Sequence, residues 1–297
     1  MAGNGPSRLI IGCGYLGLRV ARRWLAQGDA VAALTRSAER AAAFRERGIR
    51  PVVGDILSPD RLRDLPPATT VLYAVGYDRT TEASKRTVYV DGLRNVLLSL
   101  PKSVERFVYV SSTSVYGQSN GEWVDETSAC EPRTDGGQIC LDAERLLQSA
   151  LADRLPVQVL RLSGIYGPDR LIARIDALRD STPLTGNPDG WLNLIHVEDA
   201  ATAVIDSAAR DLSSDDTLLV SDDRPFRRRV YYEALARLIG APPPLFAPLE
   251  NDQPDLGKRC DNRRLHQEHS CALAYPTIDE GLPDAVGAAR PGMQSEL

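Results

Sequence analysis

Arg8-Leu-Ile-Ile-Gly-Cys-Gly-Tyr-Leu-Gly17 decides how this chain folds. Leu9 to Ile11 is a short apolar run suited to a buried strand, and Leu18-Arg-Val-Ala-Arg-Arg-Trp-Leu25 continues with helical periodicity. Between them Gly12, Gly14 and Gly17 spell G-x-G-x-x-G. In such a turn the first glycine permits the tight bend, the second lets a pyrophosphate approach the backbone, and the third lets helix pack on strand. The helix N-terminus adds free N–H groups and the positive end of its dipole. A lone G-x-G-x-x-G is weak evidence, but a strand before it and a helix after it are the context that dinucleotide binding requires. Gly12, Cys13, Gly14, Tyr15, Leu16 and Gly17 are therefore the expected cofactor contacts on this turn.

Working outward, strand-like and helix-like segments alternate. Gly28 closes the first helix, Asp29 to Thr35 reads as the second strand, and Ala38 to Arg47 as a helix stopped by Gly48. Pro51 to Asp55 is the expected third strand and Thr70 to Val75 the fourth, followed by a long helix over roughly 81–100. Arg106 to Ser112 and Val157 to Leu162 supply the fifth and sixth strands, with a helix near 141–153 between them. Short apolar strands separated by amphipathic helices imply right-handed crossovers: an α/β, Rossmann-type doubly wound parallel sheet. Beyond Gly167 the pattern loosens, and Pro183, Pro188, Pro242 to Pro244 and Pro248 punctuate short elements of a smaller C-terminal lobe. Tyr231 to Ile239 reads as one of its helices. The segments 192–209 and 217–221 are expected to return to the main sheet, and residues from about Ala285 onward to fray. The expected domains are 1–168, completed by 192–222, and a lobe of 169–191 and 223–297.

Composition narrows the class of protein. A net charge of −5 and a pI near 5.4 argue against a nucleic-acid partner, which usually meets a basic face. No apolar run approaches the roughly 18–20 residues that span a bilayer, and Met1 to Ser7 holds no signal-peptide core, so no membrane partner is expected. The five cysteines, Cys13, Cys130, Cys140, Cys260 and Cys271, show no C-x-x-C spacing, which suits reduced thiols in a cytoplasm rather than a disulfide framework or a zinc site. Lysine is scarce: Lys85, Lys102 and Lys258 are the three in the chain. A homodimer is compatible with these numbers and not required by them.

The end of the second strand speaks to cofactor choice. A site selective for NAD(H) places Asp or Glu there to accept from the ribose 2′-hydroxyl, whereas arginine accommodates a 2′-phosphate. This chain has Thr35-Arg36-Ser37. A guanidinium pairs with phosphate through charge-assisted, often bidentate bonds, so NADP(H) is preferred, with Arg36 as discriminator and Ser37 or Arg40 assisting. The other reading of Arg36 is a solvated surface arginine.

Several motifs beyond the glycine turn line up together: Gly54-Asp55-Ile-Leu, Val110-Ser-Ser-Thr-Ser-Val-Tyr-Gly117, Arg161-Leu-Ser-Gly-Ile-Tyr-Gly-Pro168 and Asn193-Leu-Ile-His-Val-Glu-Asp-Ala200. In this order and spacing the chain resembles an extended short-chain dehydrogenase/reductase, the group that holds nucleotide-sugar epimerases and dehydratases. The resemblance runs from residue 8 to about residue 240. It implies a Rossmann domain binding NAD or NADP, a smaller lobe closing over a sugar or nucleotide-sugar substrate, and Asp55 with the Ile56 backbone beside the adenine. Ala74, Val75 and Gly76, ending the fourth strand, complete the implied cofactor contacts.

Two departures qualify the resemblance. Ile11 stands where extended members carry a further glycine, so the turn has the spacing of the atypical branch. The family's Tyr-x-x-x-Lys pair, an acid/base phenol and the ammonium that lowers its pKa, falls on Gly136 and Cys140, and there is no lysine from 103 to 257. Phenol has an unperturbed pKa of about 10 and is a poor base at neutral pH without such a neighbour. Only the hydroxyl position, Ser112, survives, and it is the leading catalytic candidate, against a plain strand-end cap. Thr113 and Ser114 could take its part. Tyr77 is a replacement acid of lower rank. Tyr116 is in this family mostly packing, and Cys140 reads as a small buried hydrophobe. Lys85 either reaches the region of Tyr77, in the loop after the fourth strand, or, more simply, is a solvated lysine. His196 is expected to be structural, and Arg227 to Arg229 either solvated or a grip on a substrate phosphate. Three readings stay open: an oxidoreductase or epimerase with another acid/base, a dinucleotide-binding sensor without turnover, and chemistry that needs hydride transfer alone.

Overall fold

The computed structural model describes residues 5–151, 154–210, 216–249, 255–269 and 272–287. Apolar runs become strands where both faces are covered. The main sheet contains β1 (Ser7–Ile11), β2 (Ala30–Thr35), β3 (Arg50–Val53), β4 (Thr70–Tyr73), β5 (Arg106–Ser112), β6 (Val157–Leu162) and β7 (Asp216–Val220). Their spatial order is β7-β6-β5-β4-β1-β2-β3. β1 pairs in parallel with β2 and with β4, β2 with β3, and β4 with β5. The order reverses between β1 and β4, and in open α/β sheets ligands bind outside the carboxyl ends of the strands at such a switch point.

Helix α1 (Tyr15–Ala26) buries Leu16, Gly17, Val20, Ala21 and Trp24, a stripe of helical period. It is followed by Gly28 at φ +88°, a left-handed backbone that glycine adopts without strain. Helix α2 (Ala38–Glu46) starts at Ser37, whose side chain accepts from the Arg40 amide. Helix α3 (Gly92–Leu98) is entered through a π-helical turn, Thr87–Asp91, and α4 (Asp135–Leu151) returns the chain to β6. Leu9, Ile11, Val71, Leu93, Phe107 and Leu147 lie in one core, each contributing about 1.5–3 kcal/mol by its burial.

Two compact units result. The first comprises Met1–Val115, Cys130–Arg161 and Ala201–Leu218; the second comprises Tyr116–Ala129, Leu162–Ala200 and Leu219–Leu297. The second has its own core around Tyr166, Leu171, Leu194, Phe226, Tyr231 and Leu282. It carries three two-stranded sheets: Asn120–Val124 with Gly257–Cys260, Gly164–Tyr166 with Leu194–His196, and Trp191–Leu192 with Phe226–Arg227.

Three expectations are corrected. Leu194–His196 pairs with Gly164–Tyr166 rather than joining the main sheet, whereas Asp216–Val220 does join it as the edge strand. Ala285 does not fray, because it is buried within the helix Ile278–Gly287; residues 288–297 lie outside the described residues. The long helix begins at Lys85 rather than near 81, because the Ser84 hydroxyl accepts from the Thr87 amide and caps its start. Cys13, Cys130, Cys140 and Cys260 are free thiols, and Cys271 lies outside the described residues. Among the described residues no helix is long and apolar enough to cross a membrane, and no cluster of His, Cys, Asp or Glu could hold a metal ion.

Candidate functional site

The glycine turn divides its labour among three positions. Gly12 has φ +93°, and a Cβ there would lie 2.5 Å from the Ala74 and Val75 backbone. Gly17 lies against the Gly12 carbonyl, where a Cβ would come to 2.6 Å, so β1 and α1 close on each other only without side chains. Gly14 faces open space, with nothing within 4 Å of where its Cβ would be. It is also the N-cap of α1, with no side-chain cap and no acidic residue in the first turn, so the free amides and dipole end face outward. Gly76, just past β4, is equally open. Two tight glycines and an open one at a helix N-terminus fit an anionic pyrophosphate. Cys13 is inert by contrast: burial pushes its thiol up to about 12, against the nearby Arg40 and Arg47 guanidiniums.

Beside this turn, at the end of β2, Thr35 is buried and its hydroxyl accepts from the Ser37 amide. Arg36 is exposed and reaches Asp78 in the loop after β4 at 3.3 Å. Hydrogen bonds from the Thr80 hydroxyl and amide, then the Arg36 charge, hold the Asp78 carboxyl below the usual range. Arg40 donates to the Cys13 carbonyl at 3.0 Å and thus spans from α2 to the glycine turn. Asp55 accepts from the Leu57 amide at 2.9 Å, forming the turn after β3, and the Ile56 carbonyl accepts from Asn95 on α3.

The end of β5 holds the hydroxyl cluster. Ser112 is half-buried and its Oγ accepts from the Ser114 amide at 3.1 Å, the geometry of a strand-end cap that leaves its proton to donate. Ser111 points the other way, donating to Glu144, which also holds Arg161 at 2.9 Å in a buried ion pair. Gly137 packs against the Ser114 carbonyl, so the first turn of α4 lies on the 112–115 turn. Cys140, one turn on, is buried; burial raises its thiol pKa, against a hydrogen bond with Ser114 and the charge of Lys85. Lys85 is half-buried, and a Cβ on Gly136 would lie 2.8 Å from its Nζ. Tyr89 stands 5.3 Å from that ammonium, and its hydroxyl accepts from the Tyr77 amide. The Tyr77 hydroxyl donates to the Ala83 carbonyl at 3.0 Å. Tyr73 and Tyr109 are core residues whose phenols are pushed up by burial, so neither is a base at neutral pH.

Within the second unit, Tyr116 is buried and its carbonyl accepts from Lys258 at 3.3 Å. His196 is buried edge-on to Tyr166, with Nε2 3.2 Å from Asp284, and the neighbouring Asp199 carboxylate accepts from the Ala274 and Tyr275 amides. Arg227 stacks 3.8 Å over Trp191, and Arg229 pairs with Asp189 at 2.9 Å.

The structure thus brings Gly14, Arg36 and Arg40 to one end of the sheet, and Lys85, Gly136, Cys140 and Ser114 to a second cluster in the same unit. Sequence reading missed Tyr89 and the approach of Lys85 to Gly136. Ser84-Lys-Arg-Thr87, a serine two residues ahead of Arg86 with its capping partner three on, is the local signal that sets where the helix starts, and hence where Lys85 points.

Comparison with known proteins shows the family and the fold. A model of the NAD dependent epimerase/dehydratase family matches residues 9–216. The chain is 28% identical over 276 residues to protein YeeZ of Escherichia coli K12, covering 90% of this chain and 95% of that one. A solved structure of a candidate NAD-dependent epimerase/dehydratase from Methylobacillus flagellatus is 32% identical, covers 96% of this chain and 98% of its own, and superposes with a TM-score of 0.76. The UDP-glucose 4-epimerase of Thermotoga maritima, solved with UDP-glucose, shares the fold at a TM-score of 0.80 and 16% identity, over 95% and 98% of the two chains.

Proposed function

Because the chain belongs to the NAD dependent epimerase/dehydratase family, we propose that it is an oxidoreductase or epimerase that uses NADP(H) in preference to NAD(H). Its substrate is a sugar-derived or nucleotide-sugar molecule. The observation that carries the cofactor half is the open face of Gly14 beside Arg36 and Arg40, with no Asp or Glu in the Thr35-Arg36-Ser37 segment that ends β2. Gly12 to Gly17 would hold the pyrophosphate, Arg36 with Arg40 would take the 2′-phosphate, Asp55 with Ile56 would contact the adenine, and Ala74 to Gly76 would complete the cofactor contacts. When bound, the dinucleotide supplies hydride transfer; the chain positions the reacting carbon and moves the proton. Ser112 keeps a free proton with which to orient a substrate oxygen. The first unit holds the cofactor and the second takes the substrate. The substrate class rests on the family and on the solved epimerase that carries UDP-glucose.

Calorimetric titration with all four nicotinamide dinucleotides tests the cofactor claim. The expected result is tighter binding of the phosphorylated pair; tighter binding of NAD(H) overturns it. A panel of nucleotide sugars followed by nicotinamide absorbance tests turnover. A binding protein without turnover is the second reading, favoured by Gly136 and Cys140 at the places that the resemblance gives to the tyrosine and lysine. Bound cofactor with neither turnover nor substrate-induced stabilisation across the panel decides for it.

A further inference from the structure

Lys85 begins the helix after β4, and its ammonium lies in the volume that any side chain at Gly136 would occupy. That volume borders the turn after β5 and the first two turns of α4, at the carboxyl edge of the sheet, where open α/β sheets take ligands. Three features hold the lysine there. The Ser84 cap fixes the helix start, the Tyr77 hydroxyl ties the preceding loop through Ala83, and the Tyr89 ring lies under the ammonium. Its neighbour Arg86 takes Asp142 at 2.7 Å, whereas among the described residues no carboxylate pairs with Lys85. Among the described residues this half-buried ammonium thus has the Tyr89 ring and the field of the Cys140 thiol around it and no carboxylate partner, which leaves its proton for a ligand.

We propose that Lys85 is the proton donor of this site, an ammonium delivered from the helix after β4 into space that Gly136 leaves empty; the inference rests on the function proposed above. Reducing a carbonyl to an alcohol takes one hydride, supplied by the reduced dinucleotide as co-reactant, and one proton, which leaves Lys85 Nζ for the oxygen. The free amine then regains its proton from water, and the oxidative direction reverses each transfer. An ammonium carries the proton to be given, so the step needs no tyrosine at the Gly136 place. Gly136 is thereby a positioning residue, because only hydrogen at that place leaves the ammonium its room.

Reductive methylation with carbon-13 labels the three lysines as charged dimethyl-lysines, and Lys→Arg variants assign Lys85, Lys102 and Lys258. In cofactor-free protein, Gly136→Ala should shift the Lys85 resonance and leave Lys102 in place; an unmoved Lys85 overturns the geometry. Saturating NADP+ should lower the Lys85 titration midpoint more than NADPH does, because the oxidised ring is a cation and disfavours a second one nearby. Cofactor binding with an unmoved midpoint overturns this proposal alone, whereas failure of every dinucleotide to bind overturns the function as well. On a substrate found in the panel, Lys85→Met and Lys85→Arg should both lower kcat by about 10²–10⁴-fold. Arginine keeps the charge and cannot release the proton, so a fully active Lys85→Arg variant would show that charge alone is needed and sink the donor role.

Discussion

Gly12 and Gly14 are two residues apart and serve opposite purposes. The first has a left-handed backbone pressed on the Ala74 carbonyl, and the second has φ −94° and open space in front of it. Gly12→Ala should cost about 2–4 kcal/mol through strain and overpacking together. Gly14→Ala should fold with unchanged melting temperature and lose dinucleotide affinity, because its methyl stands where a phosphate approaches. Thermal melts paired with calorimetry separate the two; a Gly14→Ala protein with full cofactor affinity would remove the pyrophosphate from this turn. Arg36 carries a second prediction. A charge-assisted bond to phosphate contributes about 1.5–3 kcal/mol, so Arg36→Ala should weaken NADPH roughly 10- to 100-fold and leave NADH nearly unchanged. Its exposed pair with Asp78 contributes little, so the guanidinium is available to turn toward a ligand.

Helix α4 shows what could and could not be read in advance. Its apolar stripe, Leu141, Leu147 and Leu151 among it, was legible as a helix near 141–153, but the helix starts at Asp135. Gly136-Gly137 reads locally as a turn, and tertiary packing overrides that reading, since the second glycine is what lets the helix lie on the Ser114 carbonyl. The same reason hid not Lys85 itself but its place beside Gly136, about fifty residues away in sequence. Asn120–Val124 went unread because its partner is Gly257–Cys260, and a five-residue edge strand with so distant a partner leaves no local pattern. The main-sheet strands were legible, β3 and β7 with their bounds shifted by one or two residues, because they are short runs bounded by glycine or polar turns. The glycine turn was legible for the reason that it is local: strand, bend and helix are contiguous.

The same helix carries a prediction about stability. Glu144 on α4 is 2% exposed and grips Arg161 at the end of β6, with the Ser111 hydroxyl as a third partner. Removing one member of a buried pair leaves the other charge uncompensated, at about 3–5 kcal/mol. Glu144→Gln should therefore lower the denaturation midpoint at unchanged slope, and Glu144→Leu with Arg161→Met should recover most of the loss. A Glu144→Gln protein as stable as its parent would mean that the pair does not tie α4 to the sheet.

At the scale of the molecule, neither unit is a continuous stretch of chain, so cofactor binding should be read on the whole protein. NADPH at about 100 times its dissociation constant should stabilise the folded state by about 2.7 kcal/mol, visible as a rise in melting temperature that NADH at equal concentration fails to match. The pH profile of stability should be governed by a different group. Asp222 is fully buried in the second unit, and neither carboxyl oxygen has a hydrogen-bond partner among the described residues. Burial, then the charge of Asp223, raises its pKa well above the ordinary carboxylate value, with Arg224 opposing. The folded protein thus keeps a proton that the unfolded chain releases near pH 4, and stability falls as pH rises from there toward the raised folded value. Asp222→Asn removes this proton linkage while keeping the shape of the side chain. Melting temperatures of variant and parent should coincide near pH 4, and the variant should be the more stable at pH 7, by an amount that grows with pH between those points. Parallel profiles for the two proteins would show that Asp222 is charged in the fold and held by a partner, and the linkage would have to come from another group.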